Sequence, residues 1–242
     1  KQVEDWVKSK GMIKIVGPLG FSDKDPQGFQ IEGFEYPQIF TAATNSSYMP
    51  AMIESEGYIK EVDLVNYNIP IPDQLPAIYI KAYERFAKNG EFEVIEFSSK
   101  KQLKPYILPV LELMNQTFSD IYGYVPLNDA EKEEFANRYL PILDPQFVKV
   151  ARTGNELIGF FVCLPDMTSG IIAAKGKLFP FGIFKILNEM KKSKKLMMML
   201  GGVRKDYRGK GIDVLMGIKL LNSAKKNNKN LLDSHLILED NK

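Results

Sequence analysis

The residues best placed to do chemistry are Gly201-Gly202-Val203-Arg204-Lys205-Asp206-Tyr207-Arg208-Gly209-Lys210-Gly211-Ile212-Asp213. An apolar run, Leu196 to Leu200, leads in, and a helical pattern, Ile212 to Lys226, leads out. A strand, a glycine-rich basic turn and a helix start aim several backbone N–H groups at one point, where the helix dipole adds positive charge. Gly209 and Gly211 permit close approach of a ligand to the backbone. Arg208 and Lys210 add full charges. The chemistry expected is recognition of a phosphate-bearing ligand.

Charge distribution fits that reading. Lys175 to Lys229 holds 15 Lys/Arg and 3 Asp/Glu, a local net of +12, although the whole chain carries only +2. Such a concentration suits a polyanionic partner or a solvated lysine-rich face. No helix-turn-helix or RNA-type aromatic motif accompanies it, so nucleic acid is not expected.

The elements that must position the turn are legible around it. At 242 residues, 45% hydrophobic and 26% charged, the chain reads as globular protein of one large or two small domains. One cysteine and one histidine exclude a disulfide framework, a zinc site and a histidine-based triad, and fit a reducing, cytoplasmic setting. No signal peptide opens the chain, and no apolar run reaches the ~18 residues of a membrane span. The chain starts without Met in a helix already under way, which reads as part of something longer.

Periodicity and turn residues predict a helix from Val3 to Lys10, strands at Met12–Val16 and 29–34, a helix from Tyr48 to Glu54, a strand from Tyr58 to Tyr67 and a helix from Ala77 to Lys88. Asn89-Gly90 marks a lobe boundary. Then follow a strand at Phe92–Phe97, a helix at Lys101–Phe118 begun or broken at Pro105 and Pro109, and a helix from Asn128 or Asp129 to Leu140. A hairpin turns at Gly154-Asn155, and Phe184–Lys192 is helical. Leu231–Leu238 is the last strand. The fold class is α+β, with the site at a strand–helix junction.

With these residues in view, Val203 to Leu215 resembles the acyl-CoA-binding motif of the GNAT N-acetyltransferase superfamily, Arg or Gln, two residues, Gly, one residue, Gly or Ala. Here Arg208, Gly209, Lys210, Gly211, Ile212 and Asp213 stand there. The order of elements from Phe92 onward is similar, and Leu236 to Asn241 looks like the family's apolar strand ending in Asn. The resemblance covers residues 91 to 242 and implies a mixed, mostly antiparallel sheet flanked by helices. Residues 1 to 90 resemble the rear half of a first, degenerate lobe, as in tandem relatives such as N-myristoyltransferases and peptidoglycan aminoacyl transferases. Two positions depart from the pattern. Asp213 replaces a small residue and is expected to face away. The helix that often carries a tyrosine general acid has no counterpart after Lys242.

The resemblance implies transfer of an acyl group, typically from acetyl-CoA, to a small-molecule or peptide amine. Gly202, Val203, Arg204, Arg208, Gly209, Lys210, Gly211, Ile212, Asp213 and Asn241 would hold the cofactor. Glu239, Asp240 and Tyr124 are the implied catalytic groups, each with a plainer reading as an exposed or packing residue. A CoA-binding module without chemistry is the alternative. Gly201-Gly202 is expected to bulge the strand or to mark a close backbone approach, Met197-Met198-Met199 to be core strand or a flexible pocket for a larger acyl group, and Lys175 to Lys195, with its interleaved phenylalanines, either to cover the site or to bind a surface. Oligomeric state, acceptor and acyl length are not legible.

Overall fold

The computed structural model describes residues 1–20, 22–88 and 90–240. Two compact units separate: residues 1–64 with 238–242, and residues 65–237. The boundary drawn from the sequence, after residue 90, falls inside the second unit.

The first unit contains α1 (Gln2–Ser9) and α2 (Met49–Ser55). Gly11, at φ +73°, follows the first helix as its sequence suggests. Neither Met12–Val16 nor residues 29–34 form a strand, because no neighbouring segment pairs with them. The strand expected over Tyr58–Tyr67 shrinks to β1 (Leu64–Val65). Alternation there marks side chains in water rather than a pleated face.

The second unit runs β2 (Asn68–Pro70), α3 (Ala77–Lys88), β3 (Glu93–Glu96), α4 (Lys100–Thr117), α5 (Asp129–Tyr139), β4 (Val148–Thr153), β5 (Glu156–Pro165), α6 (Thr168–Ala174), α7 (Gly182–Lys192), β6 (Lys195–Val203), α8 (Ile212–Lys226) and β7 (Leu231–Asp233). A short strand, β8 (Ile237–Leu238), follows. The fold is mixed α+β. Its six-stranded sheet has the order β2-β7-β6-β5-β4-β3, with one parallel pair, β6 and β7.

Helix α4 runs unbroken through Pro105 and Pro109. Each proline withdraws an N–H and strands the carbonyl four residues back. Both prolines are exposed, so on that face the released carbonyls reach water. The inner face still buries Leu103, Val110, Leu111 and Met114. Asn128 opens α5 with a complete capping box to Glu131.

Helix α8 covers the other face of the sheet. Leu220 and Ala224 pack with Phe147, Cys163 and Leu196, and Ile212 and Met216 pack with Ala151 and Ile158. Burial pushes the Cys163 thiol pKa upward, as befits packing rather than nucleophilic chemistry. Lys149 is also buried there. Its ammonium donates to Ser223 Oγ and the Gln146 carbonyl at 2.8 Å and pairs with Glu96 at 3.0 Å, which ties β4 to α8.

The last strand departs most usefully from expectation. Leu231–Leu238 is not continuous, because β7 ends at Asp233 and His235 takes φ +59°. The Asp233 side chain, 1% exposed, organises that exit. Its Oδ1 accepts from Asn66 Nδ2 at 2.8 Å and from the His235 N–H at 2.9 Å, and its Oδ2 lies 3.5 Å from Lys195 Nζ. Asp233→Ala is therefore expected to lower stability by about 1–3 kcal/mol, because it removes the buried acceptor that these three groups share. Urea unfolding followed by circular dichroism checks this; a loss below about 0.5 kcal/mol would contradict it.

Candidate functional site

The site begins where β6 loses its neighbour. The β7 pairing covers only Lys195 to Met197. Beyond it, the edge of β6 from Met198 to Val203 has no strand partner on that side among the described residues. On the other side β6 stays paired with β5 out to Val203. Main-chain polar groups on an unpaired strand edge need a partner, so this edge can receive an extended polar ligand.

The bulge expected at Gly201-Gly202 lies elsewhere. Leu200 pairs with Val162 and Met198 with Cys163, so Met199 is the extra residue. Gly201 and Gly202 sit in regular register opposite Phe161 and Phe160. Their missing side chains serve packing. A Cβ on Gly202 would lie 2.8 Å from Thr117 Oγ1 and 3.1 Å from the Phe160 ring.

After β6 the chain makes one 3-10 turn, Lys205–Tyr207, and reaches the glycine turn. Gly209 and Gly211 take φ +74° and +82°, conformations that favour glycine. Gly211 is the N-cap of α8, and no side chain caps the helix. Among the described residues, none of the N–H groups from Gly209 to Asp213 meets an acceptor in the protein. Five donors at a dipole-positive helix end suit an anion such as a diphosphate. Ile212 is fully buried, so only its main chain is available. Asp213 is exposed. Gly211 has a further constraint: the Phe86 ring of α3 lies 2.2–2.5 Å from where its Cβ would be.

The four nearby cations differ in availability. The Arg204 guanidinium grips both Asp206 oxygens at 2.7 and 2.8 Å, pairs with Glu156 and lies over the Tyr207 ring at 4.6 Å. Those carboxylates raise its pKa and occupy its donors. Lys205 pairs with Asp120 at 3.3 Å. Arg208 reaches only carbonyls, of Val203 at 3.2 Å and Thr117 at 3.4 Å. The Lys210 ammonium lies over Tyr207 at 4.6 Å. Arg208 and Lys210 thus keep their charge uncompensated by carboxylate contact.

The implied catalytic groups are each described within their own unit. The Tyr124 hydroxyl donates to Asn115 Oδ1 at 2.7 Å, and its ring packs edge-on against Phe118. Glu239 and Asp240 are exposed and belong to the first compact unit, whereas the turn belongs to the second. Asn241 lies outside the described residues.

Sequence reasoning touched one feature only through the methionine run at 197–199. A narrow cleft lies between α4, α5 and the sheet. Every lining residue is aliphatic or aromatic, including Tyr106, Val110, Phe135, Val162, Met199 and Leu200. It borders β6 just before Gly201. The α4 and α5 walls, Val110 and Phe135 among them, were not foreseen, because space between elements leaves no trace in a pattern.

No family model matches the chain. It is 27% identical over 212 residues to a protein named Bacterial ceramide synthase from Caulobacter vibrioides, across 86% of this chain and 54% of that protein. It is 26% identical over 229 residues to Protein YghO of Escherichia coli, across 92% and 57%. The chain spans about half the length of the curated relatives it matches. A crystal structure of a GCN5-related N-acetyltransferase from Sphaerobacter thermophilus superposes with a TM-score of 0.50 at 13% identity, over 81% of this chain and 50% of that one. The fold is that of the GCN5-related N-acetyltransferases.

Gly211→Ala combines a left-handed backbone with a steric collision. It should destabilise the protein by about 2–4 kcal/mol, the sum of both penalties. Adding Phe86→Ala should recover the collision but leave about 1–2 kcal/mol of backbone strain. Denaturant melts of the double-mutant cycle measure both parts, and equal losses with and without Phe86 would refute the contact.

Proposed function

We propose that this chain carries the acyl-CoA site of an N-acyltransferase that moves an acyl group from a CoA thioester to a primary amine. The observation that supports this most is the set of unsatisfied N–H groups from Gly209 to Asp213, beside the unpaired edge of β6. The turn would hold the diphosphate through its main chain, with Arg208 and Lys210 adding charge. Gly202 and Val203 belong to the β6 segment that would align the pantetheine arm. Arg204, already held by two carboxylates, would instead brace the turn.

The thioester supplies an electrophilic carbonyl. Main-chain N–H groups on the β6 edge would polarise it, and alignment of the amine beside it supplies the rest of the acceleration. Loss of a proton from the amine needs an acceptor, and Glu239 and Asp240 remain the proposed ones. Tyr124 is proposed to shape the acceptor loop. Residues 1 to 90 are proposed as the rear half of a first lobe.

Two observations together support a substrate that carries a hydrocarbon tail. The cleft between α4, α5 and the sheet is apolar throughout and borders β6 next to the proposed carbonyl position. One relative is named a ceramide synthase, and a ceramide is an N-acylated lipid. A hydrocarbon tail, of the acyl donor or of the amine, suits the cleft.

Thiol release from acyl-CoA in the presence of long-chain amines tests the reaction, with calorimetry testing the site. Arg208→Glu should weaken CoA binding about 10–100-fold, the loss of one charge-assisted contact plus a repulsion. Binding unchanged by that substitution would overturn the assignment. Val110→Trp, which fills the cleft, should leave CoA affinity intact while turnover with long-chain substrates falls about tenfold or more. Equal turnover would remove the cleft from the reading. CoA binding with no transfer to any amine would favour the binding module over the enzyme.

A further inference from the structure

The α6–α7 hairpin is apolar on both sides. Within α7, Gly182, Ile186 and Met190 recur every four residues and are buried. That stripe accounts for packing against the fold. The opposite side is also apolar, yet faces water. Phe179, Phe181 and Phe184 are 84%, 68% and 67% exposed, and Ile172, Leu178 and Leu187 are exposed beside them. Such a cluster of large exposed side chains on one short hairpin marks a surface that meets something.

The charge around it identifies the partner. Lys175, Lys177, Lys185, Lys191, Lys192 and Lys194 are all exposed, against a single acid, Glu189, between residues 168 and 194. Glu189 pairs with Lys192 at 3.8 Å; protein interface cores are depleted in lysine, and the five other ammoniums around one would oppose a protein partner unless it were acidic. A bilayer reverses the argument. Aromatic and aliphatic side chains enter the acyl boundary while lysine stems reach back to the headgroup level. Anionic headgroups then supply the missing counter-charge, an attraction that works within a Debye length of the surface.

We infer that the α6–α7 hairpin docks the protein on an anionic lipid surface, with Phe179, Phe181 and Phe184 inserted and the lysines at headgroup level. Among the described residues no helix is long and apolar enough to cross a membrane, so contact through this hairpin is interfacial. The hairpin leaves β5 at Pro165, one residue after Leu164, which lines the apolar cleft. A surface-bound enzyme could therefore draw a tailed substrate from the bilayer, but docking stands on the hairpin alone and does not need the reaction.

Flotation with vesicles tests it. Wild-type protein should float with phosphatidylcholine–phosphatidylglycerol vesicles and much less with phosphatidylcholine alone. The triple variant Phe179→Ser, Phe181→Ser, Phe184→Ser should lose at least about tenfold in partitioning. The pair Lys177→Glu, Lys185→Glu should abolish the preference for anionic vesicles while leaving the unfolding midpoint unchanged. Because every altered side chain is exposed, that midpoint also checks folding of the triple variant. Wild-type protein that stays with neither vesicle, or a triple variant that floats as well as wild type, would overturn the inference. So would sedimentation showing that the phenylalanines instead hold two copies together, with no lipid binding.

Discussion

Everything near the turn depends on β7 ending early. A parallel neighbour running the full length of β6 would satisfy its edge and close the lane along which an extended ligand could lie. The Asp233 carboxylate prevents that. By accepting from Asn66 and from the His235 N–H, and lying near Lys195, it folds the chain out of the sheet after three paired residues. A buried carboxylate is expensive unless its lone pairs are used, and here the donors that stabilise it are those that fix the exit.

The glycine turn answers this opening. Two positive-φ glycines bring the start of α8 to the end of β6 with its first N–H groups unpaired. Its rigidity comes from packing rather than from bound charge. Ile212 is locked in the core, Phe86 closes over Gly211, and Arg204 ties the approach to Asp206 and Glu156. Among the described residues, Arg208 and Lys210 make no ion pair with a carboxylate. A preformed site of this kind needs little reordering to accept an anion.

Much of this was legible in the sequence because its causes are local. The turn declared itself through Gly209, Lys210 and Gly211, the hairpin through Gly154-Asn155, and α5 through Asn128 or Asp129. Misreadings fell where a distant partner decides. The alternation at Tyr58–Tyr67 has a strand's period, but pairing reaches only Leu64–Val65. Pro105 and Pro109 looked like a helix break; four residues apart on the solvent face, they leave α4 continuous. Gly201-Gly202 looked like a bulge because sequence cannot display Thr117 and Phe160 pressing on Gly202. The apolar cleft showed only as an alternative reading of the methionine run at 197–199, because it is a space between two helices and a sheet, each individually well formed.

Amide hydrogen exchange with and without CoA reads the central claim directly. Binding at the opened strand and turn should slow exchange in peptides covering 198–213, with Gly209 to Asp213 protected most, because their free N–H groups gain acceptors. Saturating CoA that leaves this stretch exchanging as fast as in the free protein, while protecting another part of the chain, would contradict it.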